Sequence, residues 1–313
     1  MSGGLLDIES LARPEIEAIL VRAKDFQPAP GETFGRFDIL RGRTVVNLFF
    51  EASTRTRTSF EIAAKRLGAD TLSITGSNSS VSKGESLVDT LNTLGAMRPD
   101  AIVMRHSASG APHFLSRYLP IPIVNAGDGT HEHPTQALLD ALTILDWLDP
   151  AAETTALPKS LEGLRVAIIG DIAHSRVARS NVFLLSKFSA SIVLCGPASL
   201  LPRELGQIAP GVELTNDMQQ AIRGADVIMM LRVQLERQHE APISANEYFQ
   251  FYGLRPEHMQ DAKPGVIVMH PGPINRGREI SSEVADSNRS AILNQVGNGI
   301  AVRMAVLERV LAR

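Results

Sequence analysis

Two arginines and four hydroxyl side chains stand together in one short stretch, Ser53-Thr54-Arg55-Thr56-Arg57-Thr58. The apolar run before it, residues 45–50, has the length and the β-branched and aromatic content of a buried strand. The residues after it repeat apolar side chains at helical spacing as far as Gly68. A strand that leads through hydroxyls and arginines into a helix aims backbone N–H groups, the helix dipole and guanidinium groups at one spot. The stretch therefore predicts an anion site that suits a phosphate.

A simpler interpretation of this stretch stays open. Ser53 could merely cap the helix while the arginines lie in solvent, because helix caps are far commoner than phosphate sites. The stretch also lacks the Gly-x-x-x-x-Gly-Lys pattern of a P-loop. Its absence disfavours a nucleoside triphosphate and favours a smaller phosphate compound.

The composition is that of an ordinary globular protein. The 313 residues, 44% hydrophobic and 21% charged, are enough for two domains. A net charge of −3 predicts no nucleic-acid partner. No apolar stretch approaches membrane-spanning length, and the first residues, Met1-Ser2-Gly3-Gly4, lack the features of a signal peptide. We therefore expect no membrane association and a cytoplasmic location. The single cysteine, Cys195, is predicted to be a buried strand thiol.

Apolar segments alternate with helical patterns along the chain, which is typical of parallel sheets covered by helices. Strands are predicted at residues 45–50, 70–74, 101–104 and 121–124 in the first half, and at 165–169, 192–194, 227–231 and 266–269 in the second. Helices are predicted near residues 14–23, 60–67, 85–97, 112–118, 133–147, 176–188, 218–223 and 299–313. The expected fold class is α/β, with two doubly wound parallel-sheet domains joined by long interdomain helices. We place the first domain at residues 1–135 plus the C-terminal helix 299–313, and the second at 136–298.

Polar groups follow six of the predicted strands, and ligands of open parallel sheets bind at the carboxyl ends of strands. Arg55 and Arg105 in the first domain suit a phosphate, and Arg176 and Arg232 in the second suit carboxylates or another anion. His133 could donate to a carbonyl oxygen, with Arg55 and Thr56 as further donors. The substrates therefore look like two small anions.

Other kinds of chemistry find less support in the sequence. His131-Glu132-His133 resembles a metal-ligand pair, but no third and fourth ligand stand at diagnostic spacing, so we expect no metal. Gly170-Asp171 lies where a dinucleotide fingerprint would begin, yet the further glycines are missing, which argues against NAD and leaves no expected cofactor. No Ser-His-Asp or Cys-His set supplies a covalent nucleophile. Direct group transfer remains.

Five motifs in order resemble the carbamoyltransferase family, and the match covers nearly the whole chain. They are Ser53-Thr54-Arg55-Thr56-Arg57, Met104-Arg105-His106, His133-Pro134-Thr135-Gln136-Ala137-Leu138-Leu139-Asp140, Leu231-Arg232-Val233-Gln234 and His270-Pro271-Gly272-Pro273. Aspartate-type and ornithine-type members share the first three motifs. The last two resemble the aspartate type, since ornithine-type members typically carry His-Cys-Leu-Pro in place of the last one.

The resemblance implies a set of binding residues for two substrates. Carbamoyl phosphate would be bound by Ser53, Thr54, Arg55, Thr56, Arg105, His133 and Gln136, with the Pro271 and Gly272 carbonyls accepting from reacting nitrogen groups. L-Aspartate would be bound by Lys83, Arg176, Arg232 and Gln234. The catalytic residues would be Arg55, Thr56, Arg105, His133 and Lys83. Whether the Gly272-Pro273 bond is cis stays open.

The stretch at residues 77–85 resembles the family's mobile loop, whose serine and lysine enter the active site of a neighbouring subunit. Lys83 would be that lysine, and either Ser79 or Ser80 the serine. The resemblance thus implies a homotrimer with shared active sites. A plain flexible surface loop is the alternative. Regulatory or dihydroorotase-like partner chains could also bind, and the sequence does not decide this.

The expected reaction transfers the carbamoyl group of carbamoyl phosphate directly to the α-amine of L-aspartate. Its products are N-carbamoyl-L-aspartate and phosphate, and its place is de novo pyrimidine biosynthesis. An ornithine-type enzyme is the nearest alternative, although Arg232 and Gln234 favour an acidic substrate over a cationic one. A catalytically silent protein that binds anions within a larger assembly is the alternative from another class.

Overall fold

The computed structural model describes residues 3–29, 31–75, 87–148, 161–233 and 244–311. These residues form two compact units. The first contains the described residues up to Leu139 together with those from Gly297 onward, and the second contains the described residues from Asp140 to Val296. Each unit is built on one parallel sheet with flanking helices, so the predicted α/β class is confirmed.

The strands of the first unit are β1 (Thr44–Phe49), β2 (Asp70–Thr75), β3 (Ala101–His106) and β4 (Ile123–Asp128). They pair in parallel in the order β2-β1-β3-β4. The helices that accompany them are α1 (Arg13–Phe26), α2 (Thr54–Arg66), α3 (Leu87–Ala96) and α4 (Ala111–Leu115). Helix α1 has Pro14 in its first turn, where the missing N–H costs nothing. Leu48 of β1 and Ile102 of β3 pack with Leu91 of α3 in the core of this unit.

The strands of the second unit are β5 (Arg165–Ile169), β6 (Ser191–Cys195), β7 (Val212–Thr215), β8 (Val227–Met230) and β9 (Ile267–Met269). They pair in parallel in the order β7-β6-β5-β8-β9. The helices of this unit are α6 (Arg176–Lys187), α7 (Met218–Ile222), α8 (Ala245–Tyr252) and α9 (Ser282–Ala285). Ala167, Val193 and Ile228 of three adjacent strands share its buried core. Cys195 is buried, as predicted, and burial raises the pKa of its thiol to about 12, which leaves it unreactive.

Two long helices carry the chain from one unit to the other. Helix α5 (Pro134–Leu148) contains the boundary between Leu139 and Asp140, and α10 (Ile292–Leu311) contains the boundary between Val296 and Gly297. The long interdomain helices expected from the sequence are therefore present. No helix among the described residues is both long and apolar enough to cross a membrane.

Several described elements differ from the sequence prediction, among them the short helix α9, which was not predicted. Helix α10 begins at Ile292, seven residues before the predicted start at Gly299, because Gly297 and Gly299 lie inside the helix and do not break it. A Cβ on Gly299 would meet Arg303 Nη1 at 2.5 Å and the Leu139 side chain at 3.2 Å, so close packing explains the glycine. Strand β7 was missed because it is a short, half-exposed edge strand. Helix α8 was missed although its capping box, Ser244 with Glu247, was readable.

Candidate active site

The carboxyl ends of β1, β3 and β4 adjoin at one edge of the first unit's sheet. The chain passes from β1 outward to β2 and returns on the other side of β1 as β3, so the strand order reverses between β1 and β3. Open parallel sheets bind their ligands at such reversals. Ser53 precedes α2 after β1, Arg105 lies at the end of β3 in register with Phe49, and His133 follows β4. The structure therefore brings the predicted residues of the first domain to one edge.

Helix α2 begins with a positive first turn. Among the described residues, the N-cap Ser53 makes no side-chain capping hydrogen bond, and the first turn contains no acidic residue. The N-cap Ser175 of α6, by contrast, accepts from the Ala178 N–H. Arg55 and Arg57 add charge where the helix dipole is already positive, at a cost of about 0.3–1 kcal/mol each unless an anion is nearby. This geometry favours an anion site over the interpretation of Ser53 as a simple cap.

A cavity of ≈ 350 Å³ opens beside this helix N-terminus. It is lined by Phe49, Phe50, Ala52, Ser53, Thr54, Arg57 and Thr75. Its volume suits a small phosphate compound. Arg57, to which the sequence analysis gave no separate role, contributes its guanidinium here, while the neighbouring Arg55 is exposed. Within the described part of the chain the Arg57 Nε is buried without a hydrogen bond, 3.7 Å from the Glu61 carboxylate.

Arg105 is oriented by two acceptors at the sheet edge. Its Nη2 donates to Glu51 Oε1 at 2.6 Å, and its Nη1 donates to the Ala126 carbonyl at 3.1 Å. The Arg105 side chain is 11% exposed, so the ion pair is largely shielded from solvent. A substrate anion would compete with Glu51 for the same guanidinium. Glu51 was not predicted from the sequence, although its place two residues before Ser53, beside the cluster of cations, was an available signal.

Asp128 fixes the turn between β4 and α5. This fully buried carboxylate accepts from the Gly110 N–H at 2.6 Å, from Asn125 Nδ2 at 2.8 Å and from the Glu132 N–H at 3.1 Å. His131 Nδ1 lies 3.1 Å from its Oδ2. Burial alone would raise the pKa of Asp128, but the hydrogen bonds from His131, Asn125 and Gly110 outweigh it and lower the pKa. The hydrogen bond to Asp128 in turn raises the pKa of His131.

Glu132 ties the same turn to the N-terminal segment. Its buried carboxylate accepts from the backbone N–H groups of Ile8 at 2.9 Å and Glu9 at 3.1 Å. The next residue, His133, is 4% exposed, and its carbonyl accepts from the Gln136 N–H at the start of α5. His133 therefore sits on a turn that is fixed on both sides.

The His131-Glu132-His133 spacing does not assemble a metal centre in the described structure. His131 instead clusters with His113 and Asp128, whose ligand-type atoms all lie within 4.8 Å of one another. Asp128 is already engaged by backbone and side-chain donors, and His113 Nε2 lies 2.6 Å from Asp7 Oδ2. Although burial raises it, the pKa of Asp7 is lowered to about 2 by hydrogen bonds from His113 and Ser10. We interpret the group as two carboxylate–histidine pairs with rings 5.3 Å apart.

The second unit carries arginines at the corresponding edge of its own sheet. The strand order reverses between β5 and β8, and Arg176 and Arg232 follow these two strands. Arg176 is the first residue of α6 and is buried, whereas Arg232 is half-buried. Gly170, at the end of β5, has φ +142°, and a Cβ there would meet Leu231 atoms at 2.9 Å. A glycine is therefore required for the close approach of the two chain segments that present these arginines.

The turn His270-Pro271-Gly272-Pro273 follows β9, which pairs with β8. Its Gly272-Pro273 peptide bond is cis. His270 is buried, while Pro271 and Gly272 are half-buried. Two predicted site residues, Lys83 and Gln234, lie outside the described residues, as do Ser79 and Ser80. The remaining predicted site residues occupy the carboxyl edge of the sheet in their own unit.

Family models of known proteins match both halves of the chain. Residues 4–146 match the family model "Aspartate/ornithine carbamoyltransferase, carbamoyl-P binding domain", and residues 162–310 match "Aspartate/ornithine carbamoyltransferase, Asp/Orn binding domain". The chain is 75% identical to the aspartate carbamoyltransferase catalytic subunit of Solibacter usitatus, over 99% of this chain and 100% of the relative. It is 53% identical to the catalytic subunit of Magnetococcus marinus, over 97% and 91%.

Among solved structures, the chain resembles aspartate transcarbamoylase from Trypanosoma cruzi in complex with carbamoyl aspartate and phosphate. The TM-score is 0.86 at 33% sequence identity, and the match covers 98% of this chain and 95% of the other.

Proposed function

Because the chain belongs to the aspartate/ornithine carbamoyltransferase family, we propose that its arginine-bearing sheet edges bind the two anionic substrates of a carbamoyl transfer. The enzyme transfers the carbamoyl group of carbamoyl phosphate to L-aspartate, forming N-carbamoyl-L-aspartate and phosphate in pyrimidine biosynthesis. The observation that carries the assignment of the first site is the uncapped N-terminus of α2, with two arginines, at the reversal point of its sheet. Such a terminus stabilises a phosphate by N–H donors, dipole and charge together.

Carbamoyl phosphate is assigned to the first unit. Its phosphate lies at the N-terminus of α2, within reach of Ser53, Thr54, Arg55 and Thr56, with Arg105 as a further cation. His133 and Gln136 flank the carbamoyl group. The shared edge of β1, β3 and β4 supports this placement, since all these residues follow those strands.

L-Aspartate is assigned to Arg176, Arg232 and Gln234, together with Lys83. The support is the chemistry of the second edge, where the two described residues of this set are arginines at the reversal point of the sheet. Guanidinium groups match the two carboxylates of aspartate, whereas the cationic side chain of ornithine would call for an acidic partner. The Pro271 and Gly272 carbonyls accept hydrogen bonds from reacting nitrogen groups.

The reaction needs no covalent enzyme intermediate. The neutral α-amine of aspartate attacks the carbamoyl carbon, and a C–N bond forms as the bond from that carbon to the bridging phosphate oxygen breaks. Arg55, Thr56, Arg105 and His133 donate to the carbamoyl oxygen as it gains negative charge. The departing phosphate takes up the proton that the amine loses, so no side-chain base is required.

The assembly belongs to the proposal as well. We assign the enzyme to a cytoplasmic homotrimer in which Lys83 of one chain completes the site of its neighbour. The curated relatives are named catalytic subunits, which supports a regulatory partner chain. A dihydroorotase-like partner is the other assembly that we propose to test. Light scattering coupled to size-exclusion chromatography measures the mass of the purified assembly, and cell fractionation locates it.

A substrate panel tests the activity. Purified protein is incubated with carbamoyl phosphate and either L-aspartate or L-ornithine, and phosphate release is followed above the rate of spontaneous hydrolysis. Turnover with aspartate alone is expected. Turnover with ornithine alone would overturn the assignment of the second site while retaining the first. A folded protein that turns over neither substrate would favour an obligate partner chain or a catalytically silent anion-binding role.

A further inference from the structure

A chain of buried hydrogen bonds in the second unit runs from helix α5 to the turn His270-Pro271-Gly272-Pro273. Asp140 Oδ1 accepts from Gln295 Nε2 at 2.7 Å, and Gln295 Oε1 accepts from the backbone N–H of His270 at 2.9 Å. The other oxygen of Asp140 accepts from Asn181 Nδ2 at 2.8 Å. Asp140, Asn181, Gln295 and His270 are each at most 3% exposed. None of the motifs that bind substrate requires Gln295 or Asn181.

The polarity of this chain is unambiguous. A backbone N–H can only donate, so the oxygen of Gln295 faces His270 and its amide nitrogen faces Asp140. The carboxylate of Asp140 accepts from Gln295 with one oxygen and from Asn181 with the other, whereas an amide at this position would turn an NH₂ donor toward one of these two donors. The charge of Asp140 thus selects one orientation of the Gln295 side chain.

The buried ring of His270 holds the turn by hydrogen bonds to Gly272 and Glu279. Its Nδ1 accepts from the Gly272 N–H at 2.8 Å, so its Nε2 carries the proton and donates to Glu279 Oε1 at 3.2 Å. Glu279 Oε1 also accepts from the Asn275 N–H at 2.5 Å. Both N–H groups of the four-residue turn are therefore bound inside the unit, since Pro271 and Pro273 have none. The groups that the half-buried Pro271 and Gly272 offer to a ligand are their carbonyls.

We infer that Gln295, oriented by Asp140, is a positioning residue that fixes the Pro271 and Gly272 carbonyls for hydrogen bonding to the reacting nitrogen groups. This inference rests on the proposed function of the turn. Gln295 touches no substrate and acts only through the backbone of His270. We call the hydrogen-bond chain from Asp140 through Gln295 to His270 the relay. Because a displacement of about 1 Å at a reacting centre can cost on the order of 10²-fold in rate, the relay should affect turnover more than substrate binding.

A polarity swap tests the relay. In Gln295→Glu, one carboxylate oxygen still accepts from His270 but the other faces Asp140, so kcat should fall by roughly 10-fold or more while both KM values change less. The loss should shrink as the pH is lowered, because a proton shared by the two carboxylates restores the donor. Asp140→Asn alone should also lower kcat. Asp140→Asn combined with Gln295→Glu reverses the donor and acceptor between the two positions and should recover kcat to within about threefold of wild type.

The controls separate positioning from general damage. Asn294→Asp places the same charge on the adjacent, exposed position of α10 and should keep wild-type kcat. Gln295→Met avoids a second buried carboxylate if Gln295→Glu fails to fold, and it should lower kcat because its thioether is a poor acceptor. A folded Gln295→Met enzyme with wild-type kcat would overturn the inference, as would a folded double variant that is no better than the poorer single variant.

Hydrogen exchange supplies a readout that does not depend on turnover. The amide of His270 should be protected in the wild-type protein and exchange at least 10-fold faster in Gln295→Met, while amides of β5 remain unchanged. Equal protection in the two proteins would refute the relay whatever the activity. If the two proteins differ in exchange as expected but the wild-type protein transfers no carbamoyl group to aspartate, the proposed function is refuted and the relay is not.

Discussion

Arginines at the start of helix α2 set the chemistry of the first site at the scale of single residues. A helix N-terminus favours acidic side chains, yet positions Arg55 and Arg57 are basic and the N-cap Ser53 makes no side-chain capping bond among the described residues. The electrostatic cost in the free protein becomes a gain when an anion is bound. This sign change explains why residues that are unfavourable for the helix are the ones expected to bind carbamoyl phosphate.

Replacing Arg55 should cripple turnover without unfolding the protein. Arg55 is exposed, so Arg55→Ala removes a donor to the carbamoyl oxygen but little packing, and kcat/KM should fall on the order of 10²-fold or more. Lys65→Ala, on the exposed surface of the same helix, is the matched control and should be near wild type. Steady-state kinetics with circular dichroism of both variants make the comparison. Near-normal turnover by Arg55→Ala would remove Arg55 from the catalytic set.

The Asp128–His131 pair should make stability depend on pH. The pKa of His131 is raised in the folded state, so its contribution is complete below its ordinary pKa of about 6.5 and is lost as pH rises through the raised value. The pKa of Asp128 is lowered, so its contribution is lost only as pH falls through that lower value. The stability that His131→Gln loses relative to wild type should be greatest near pH 5 to 6 and shrink toward pH 9.

Urea unfolding of wild type and variant between pH 5 and pH 9 measures that difference. His258→Gln is a control whose effect on stability should change with pH in the opposite direction, because burial and then Arg255 lower the pKa of His258. Wild-type His258 should therefore be relatively more destabilising as pH falls. A constant difference for His131→Gln across the range would show that its hydrogen bond contributes without titrating.

At the scale of elements, each sheet places its arginines by the reversal of strand order. The first unit does so between β1 and β3, and the second between β5 and β8. This reversal brings side chains from distant parts of the sequence to one edge of a sheet. Arg176 and Arg232 are an example. The close approach at the end of β5 leaves room for a hydrogen atom only, at Gly170.

Gly170→Ala should destabilise the second unit by about 1–3 kcal/mol from backbone strain alone, with the contact to Leu231 adding to it. Gly265→Ala is the control, because a Cβ there meets nothing within 4 Å and the glycine lies outside the left-handed region. Equilibrium urea unfolding compares the two. If Gly170→Ala were as stable as Gly265→Ala, the close approach would not constrain this edge.

The sequence alone was sufficient to predict the strands, and the sheet edges that carry the sites, wherever the local residue pattern agrees with the fold. The run at residues 45–50 became β1. Arg105 lies at the end of β3, Arg232 follows β8, and Arg55 and Arg176 lie in the first turns of the helices after β1 and β5. Edge strand β7 alternates apolar and polar residues over only four positions, which is too short a run to mark a strand, and glycines 297 and 299 imitate a helix stop. The Glu51–Arg105 pair and the Gln295–His270 bond join residues distant in sequence and needed the tertiary structure.

At the scale of the whole molecule, the proposed trimer makes a site that no single chain completes. If Lys83 serves the neighbouring chain, then Arg55→Ala and Lys83→Ala proteins, each nearly inactive, should complement each other when their trimers are dissociated and reassociated together. Random mixing of equal amounts restores about a quarter of the sites in a cyclic trimer, and activity should rise to that fraction of wild type. Recovery requires exchange of chains, so mixing without dissociation is the control. No recovery in verified mixed trimers would place Lys83 in its own chain's site or outside any site.

Direct carbamoyl transfer to the α-amine of aspartate is tested best by following the transferred group itself. The enzyme is given carbamoyl phosphate labelled with ¹³C at the carbonyl and L-aspartate labelled with ¹⁵N at the amine, and the product is observed by NMR while the intact protein mass is recorded during turnover. Direct transfer predicts a one-bond ¹³C–¹⁵N coupling in N-carbamoyl-L-aspartate, phosphate release in equal amount and no carbamoyl adduct on the protein. Phosphate release without the coupled product, or a carbamoylated protein that forms and decays at the rate of turnover, would contradict direct transfer to the α-amine.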